Sequence, residues 1–380
     1  MVHLTRMGFV VLTAAFVLGG ATTSLFGPLL VTFSERFHLS TAGAGRILAV
    51  YFGGGVLGVL PGWVGVRRFS GRAVLNAALM TMAFGAALVS LASHWILAEV
   101  GAGVLGVGFG ASGITLNTLL TRTAVEVRAH MLSVGNAGFG VGAVVTPLAL
   151  IGVHPIHYAL LVSILGIASL ALALTTRGVV APPHRDETRG TTHLDTGRRR
   201  RLIGLFIGGY VLYESVESGA SGWMASQLHG TGYGDRTAIL VTAGFWAGLA
   251  LARAFGGALH RRFQAPALVI GSLVLATVGA LGVRVHVLAP VAYPFLGLVI
   301  ASIYPMGLMW FSTLSPHDSD ATSAIILSAM AGSVIGPALI DLLVARWGVG
   351  VVPLSVALFA ALDGAVFSIA LVKGSARTSP

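Results

Sequence analysis

Six ionisable side chains stand inside otherwise apolar stretches of this sequence: Glu99, Glu214, Glu217, Asp341, Asp363 and Arg253. At the centre of a bilayer each would cost roughly 2.5–3.5 kcal/mol or more, so each needs a reason to be there. Glu217 falls near the middle of its stretch. Taking a carboxylate out of water disfavours its ionised form, which is the physical basis for loading and releasing a proton. Glu214 stands three residues earlier and projects from nearly the same helix face. Like charges this close disfavour double ionisation, so the two acids are expected to hold one proton between them. Glu217 and Glu214 are therefore the proton-coupling candidates, against the alternative that Glu217 makes a structural hydrogen bond to a neighbouring helix. Arg253 needs a counter-charge, and Glu214 is the nearest acid by expected depth. The alternative for Arg253 is capping of carbonyls at a helix end or reaching the water beyond it.

A second group carries no charge. Tyr213, Trp223, Trp246 and Tyr304 could stack on the face of a sugar-like solute, or could simply pack. Asn117 could hydrogen-bond a solute or another helix. Trp95 and Trp347 fall near the ends of apolar stretches and suit interfacial anchoring. Asp341 and Asp363 are expected to face the interior and hold a polar group of a helix.

Several chemistries are excluded. The chain has no cysteine, which removes disulfides, thiol nucleophiles and thiolate metal sites. The histidines are scattered without metal-ligand spacing, and His184 and His193 belong to a polar stretch. Gly106-x-Gly108-x-Gly110 has no preceding strand and is no dinucleotide loop. No phosphate-binding loop and no cluster of catalytic His, Asp or Ser exists, so enzymatic activity is not expected, nor any cofactor or metal.

The elements that must position these residues follow from composition. Of 380 residues, 55% are hydrophobic and 9% charged, with a mean hydropathy of +0.88. Soluble domains carry roughly 25% charged residues, so lipid must solvate most of this surface. A bilayer core needs roughly 20 apolar residues per helix. The sequence predicts twelve such spans: 7–33, 42–66, 72–92, 94–121, 129–153 and 156–176, then 202–228, 236–259, 265–285, 287–314, 321–346 and 350–371. The first is too long for a signal-peptide core and lacks a clear cleavage site, so it reads as a retained helix. The expected fold is an all-α membrane protein, with a six-helix bundle over 1–176, a cytoplasmic linker over 177–201 and a second bundle over 202–380. Gly54, Gly58 and Gly62, spaced four apart, predict a flat face for close helix packing. Pro28, Pro147, Pro305 and Pro337 predict kinks.

The net charge of +10 does not point to nucleic acid, because arginines cluster in short loops between spans. With the N-terminus inside, 17 of the 23 basic residues fall on the inner side and 5 on the outer. Both termini are thus expected in the cytoplasm. The halves also repeat. Pro61-Gly62-Trp63-Val64-Gly65-Val66-Arg67-Arg68-Phe69 closes the second span, and Phe255-Gly256-Gly257-Ala258-Leu259-His260-Arg261-Arg262-Phe263 closes the eighth. Gly-rich runs end in Thr146-Pro147 in the fifth and Gly336-Pro337 in the eleventh. Related six-helix halves with a solute site near the midplane form a secondary-transporter pattern.

These features resemble the major facilitator superfamily over essentially the whole chain. Gly62 to Arg72 is similar to its Gly-x-x-x-Asp-Arg-x-Gly-Arg loop; it keeps Gly71-Arg72 and lacks the acid. The stretch Tyr213-Glu214-Ser215-Val216-Glu217-Ser218-Gly219-Ala220-Ser221-Gly222-Trp223 resembles the fucose–proton symporter branch, as does Phe245-Trp246-Ala247-Gly248-Leu249 through Arg253. Asn117, after Gly106, Gly108 and Gly110, matches that branch's fourth helix, whereas Gly113 stands where many members have a carboxylate. The resemblance implies a secondary transporter working by alternating access in the cell membrane, proton-coupled through Glu217, and carrying a sugar-like or other polar metabolite. The alternative is a proton-antiport exporter of a drug or metabolite, which the Gly-rich run before Pro147 also fits. The partners implied are a small-molecule solute, protons and bilayer lipid, with the chain acting as a monomer and binding no nucleic acid.

Overall fold

The computed structural model describes residues 3–4, 6–121, 125–153, 155–176, 179–180, 196–260, 262–316 and 318–375. The helices are α1 (Arg6–Thr23), α2 (Leu30–Arg36), α3 (Thr41–Arg68), α4 (Gly71–Ser90), α5 (Trp95–Thr121), α6 (Val125–Val153) and α7 (Tyr158–Thr175). They continue with α8 (Thr196–Gly230), α9 (Asp235–His260), α10 (Ala265–Gly282), α11 (Ala289–Ile300), α12 (Ile303–Leu314), α13 (Ser319–Trp347) and α14 (Val352–Ser375). Among the described residues the β structure is one two-residue antiparallel pair, His3–Leu4 with Val179–Val180. Most of the linker expected over 177–201 lies outside the described residues, as does Arg261. Residues 196–201 are helical and lengthen α8 to 35 residues.

Among the described residues, eleven helical segments are long and apolar enough to cross a bilayer. The one expected span outside this set, the seventh, is α8, whose 35 residues at about 1.5 Å each make it about 50 Å long. Glu214 and Glu217 dilute its hydropathy, so the helix that composition makes least membrane-like is the one carrying the chemistry. Prolines break two spans. The first divides at a 3₁₀ turn, Gly27–Leu29, with Pro28 inside it. The tenth divides between α11 and α12 at Ala301, four residues before Pro305. Proline has no N–H for the carbonyl four residues back, and its ring crowds that carbonyl. Pro147 and Pro337, by contrast, lie inside the continuous helices α6 and α13.

The chain forms two compact units, Met1–Asp186 with Gly234–Ala243, and Glu187–Tyr233 with Gly244–Pro380. In the first, α3 meets α5 at backbone distance. A Cβ added at Gly54 would lie 2.1 Å from the Gly103 carbonyl oxygen, and one at Gly58 2.1 Å from that of Val107. The opposite helix answers with Gly106, whose Cβ would meet the Tyr51 oxygen at 1.9 Å. Such approach substitutes for a hydrophobic driving force that lipid cannot provide. Helices α1 and α6 meet likewise at Gly20 and Gly142. The second unit repeats the scheme: α8 and α13 touch at Gly332 and Gly336, and α9 and α11 at Gly248 and Gly297. The same relative positions in each half thus carry the close contacts. Leu57, Leu60 and Trp63 stand exposed on the far side of α3, as suits a lipid-facing stripe.

Outside the spans, a polar clasp ties the second unit. Arg199 holds Asp318 through two bonds, Nε to Oδ2 at 2.7 Å and Nη2 to Oδ1 at 2.9 Å. Asp318 also accepts the Ala321 N–H at 3.2 Å as N-cap of α13, and the Ser315 hydroxyl at 3.1 Å. Arg198 reaches the Gly374 carbonyl at 2.7 Å. The Arg199 guanidinium, helped by these donors, holds the Asp318 carboxyl below the usual carboxylate range despite its burial. A carboxyl that titrates lower when folded stabilises fully above its unfolded value of about 3.9 and loses that contribution as pH falls through the folded value. Asp318→Asn should therefore lower the thermal midpoint at neutral pH, and the gap to the unaltered protein should close below about pH 4. Unfolding scans across pH check this, and a gap independent of pH would contradict it.

Candidate functional site

Helix α8 puts Tyr213 and Glu217 four residues apart, hence one above the other on one face. The Tyr213 hydroxyl donates to Glu217 Oε2. Arg253 enters from α9, and its Nη2 lies 3.2 Å from Glu217 Oε2 and 3.2 Å from the Tyr213 hydroxyl. One carboxylate oxygen thus receives a phenol and a guanidinium donor. The Glu217 side chain is 10% exposed and that of Arg253 28%, so the pair is sheltered yet the cation keeps an open edge. Charge-assisted bonds in such surroundings are among the stronger ones a protein makes.

The partner of Arg253 is therefore Glu217, and the expected Arg253–Glu214 pair is corrected. Glu214 is set about 100° around the helix from Tyr213, at 3.6 residues per turn, which turns its stem toward α13. A Cβ added at Gly332 of α13 would lie 2.9 Å from the Glu214 Cβ. Among the described residues no hydrogen bond joins the two glutamates, so the expected shared proton has no direct bridge in this conformation. Glu214 stays within electrostatic reach of both Glu217 and Arg253. Its neighbour Ser218 turns a hydroxyl back to the Glu214 carbonyl at 2.6 Å.

Tyr304, half-buried on α12, stands with its ring 6.2 Å from that of Tyr213 and 5.3 Å from that of Tyr210. The Tyr210 hydroxyl donates to the Tyr304 carbonyl at 2.5 Å, across the start of α12. Tyr210 was not singled out by sequence reasoning. Its signal was available in the spacing Tyr210, Tyr213, Glu217, three then four residues apart on one helix face.

The remaining candidates lie elsewhere. Trp223 is fully buried, and its indole N–H donates to the Pro337 carbonyl at 3.3 Å. Trp246 is buried with an edge-on contact to Phe245, ring centroids 5.4 Å apart. Protein covers both indoles in this conformation. Asn117 belongs to the first unit, is exposed, and donates its Nδ2 to the Gly113 carbonyl one turn back at 3.0 Å. Glu99 finds its reason in an ion pair with Arg46 at 3.2 Å. Asp363, expected to hold a helix polar group, has both carboxylate oxygens without a hydrogen-bond partner among the described residues.

A family model described as Major Facilitator Superfamily matches residues 12–283. A comparison with curated proteins gave no match. Among solved structures the chain is similar to a bacterial homologue of the human lysosomal transporter Spinster in an inward-facing, occupied conformation. There the TM-score is 0.78 at 14% identity, covering 96% of this chain and 96% of that one. It is also similar to a mutant of the nucleoside transporter NupG, with TM-score 0.80, 12% identity and coverage of 96% and 100%. Against a D-xylose–proton symporter the values are 0.77, 13%, 94% and 96%. At such identities these likenesses establish the fold.

If Glu217 and Arg253 stabilise one another, their losses cannot add. Glu217→Gln and Arg253→Gln should each lower the thermal midpoint in detergent. The double variant should be less stable than the unaltered protein by about 0.5–3 kcal/mol less than the sum of the singles. Glu214→Gln with Arg253→Gln should come closer to additivity. Additive losses for the first pair would count against the bond.

Proposed function

The chain belongs to the major facilitator superfamily, and on that premise we propose that it is a proton-coupled secondary transporter that moves a small polar solute by alternating access. The observation that carries this reading is the buried Glu217 oxygen shared by Tyr213 and Arg253. When a proton binds Oε2, a new O–H bond forms there and the carboxylate charge disappears. Arg253 then loses its counter-charge in sheltered surroundings. It must turn toward water, toward Glu214 or toward a solute acceptor, and the Tyr213 hydroxyl must find a new acceptor too. Protonation thus changes which groups are free to meet the solute, and this is the coupling.

On this reading Glu217 is the proton site and Glu214 the nearby acid that tunes it. Tyr213 and Tyr304 offer hydroxyl groups to the solute, while Trp223 and Trp246 buttress the helices. A hydroxyl-rich solute suits such donors, and the similar structures include a D-xylose–proton symporter and a nucleoside transporter. The two-bundle division at 1–176 and 202–380, the cytoplasmic linker and termini, and the cell-membrane location belong to the same proposal; the excess of basic residues in the inner loops supports them. The Tyr213 to Trp223 stretch supports a place within the fucose–proton symporter branch. Export by proton antiport is the second reading, favoured by Pro147 inside α6 after glycines that pack against α1.

Proteoliposomes test this with labelled pentoses, hexoses and nucleosides. An inwardly directed proton gradient should drive accumulation, and collapsing the gradient should abolish it. Glu217→Gln should lose gradient-driven accumulation while retaining solute exchange at equal concentrations. Gradient-driven loss of preloaded solute would instead establish antiport, and accumulation indifferent to the gradient would contradict proton coupling.

A further inference from the structure

Asp363 on α14 is the deepest carboxylate among the described residues, with 0% exposure, and neither of its oxygens has a hydrogen-bond partner. A Cβ added at Gly209 would lie 3.2 Å from its Oδ1, so the acid is pressed on the backbone of α8. One turn along α14, the Phe367 ring closes the same contact and packs edge-on against Phe206. Among the groups facing Asp363, Tyr210 of α8 is the titratable one within electrostatic reach. Helix α10, also packed on α14, has no titratable residue. Among the described residues no cation is hydrogen-bonded to the carboxyl. An ionised carboxylate cannot persist in such a place, whereas a neutral acid loses far less by leaving water.

A structural acid would use its oxygens, as Asp318 does. Among the described residues Asp363 uses neither. We propose that Asp363 is a second proton-carrying acid, protonated while α14 is packed on α8 and able to release its proton when that contact opens. On opening, the acid's O–H bond breaks, the proton passes to admitted water, and the electron pair stays on the carboxylate. The Tyr210 hydroxyl, now committed to the Tyr304 carbonyl, is the donor placed to stabilise the anion. Turning it would free that carbonyl at the start of α12, beside the Tyr304 ring that faces Tyr213 and hence Glu217. Proton loss at Asp363 would reach the first proton site through Tyr210, Tyr304 and Tyr213. The inference rests on the proton-coupled reading given above.

Infrared spectroscopy of the purified protein tests it through the C=O stretch of a carboxylic acid. The unaltered protein should show an acid band that disappears in Asp363→Asn, persists in Glu217→Gln and declines as pH is raised. In Tyr210→Phe, which removes the stabilising donor, the decline should shift to higher pH. Should Asp363→Asn fail to fold, carboxyl-labelled ¹³C-aspartate in the unaltered chain should still shift the band. An unchanged acid band in Asp363→Asn, no shift on labelling, or a band constant up to the pH of unfolding would overturn the inference. A titrating Asp363 band in a protein whose transport ignores the proton gradient would overturn the coupling reading and with it the carrier role. A gradient-driven transporter without that band would overturn this inference alone.

Discussion

A glutamate and an arginine that meet within apolar helices must satisfy one another or not exist there. Glu217 and Arg253 do so through a single oxygen, with Tyr213 as the second donor. The contact consumes the charge of both residues, so any proton or solute that competes for either must change the bonding of all three. A surface ion pair of the same length would contribute little and switch nothing, because water would replace whatever was lost. Shelter from water makes the contact consequential, and the open edge of Arg253 makes it reachable.

The contact is held on rigid supports. Helix α8 lies against α13 at Gly332 and Gly336 with no room for a side chain between them, and Ser215 bridges to the Gly332 carbonyl at 3.1 Å. Trp223 fixes the same pair about two turns farther along α8, at Pro337. Against this rigidity stand the proline breaks. The one ahead of Pro305 opens the tenth span beside Tyr304, where a helix without a continuous hydrogen-bond ladder can bend at less expense. The site therefore combines a fixed face, carrying Tyr213 and Glu217, with a jointed one carrying Tyr304.

Much of this was legible in the sequence. The run lengths gave the helices, because a chain so poor in charge can hide its backbone polarity in lipid only as helix. The Gly54, Gly58, Gly62 spacing anticipated the close contact with α5. The need of Arg253 for a counter-charge was also plain, but its partner was not. Depth along a span is known only to a few residues, and Glu214 and Glu217 differ by less than one turn; what separates them is direction around the helix, which α9 and α13 decide. Tyr213 read as a face for solute, and proved to be a ligand of Glu217, since an aromatic with a hydroxyl serves either end equally well. The isolation of Asp363 could not be read at all: it depends on Gly209 and Phe367 closing over it, more than a hundred residues apart for the first. The breaks in the first and tenth spans were foreshadowed by Pro28 and Pro305, though Pro147 and Pro337 show that a proline alone does not determine whether a helix divides.

The chain's lack of cysteine allows a direct test of whether water reaches this charge pair. Glu217→Cys and Ala220→Cys place single thiols less than one turn apart, the first beside Arg253 and the second where the unaltered residue is fully buried. A water-soluble, membrane-impermeant thiol reagent should label the first rapidly and the second at least tenfold more slowly, about the factor that 1.4 kcal/mol of protection gives. Equal and slow labelling at both positions would mean that Glu217 is sealed in a dry contact, and the account of a proton site at this position would be wrong.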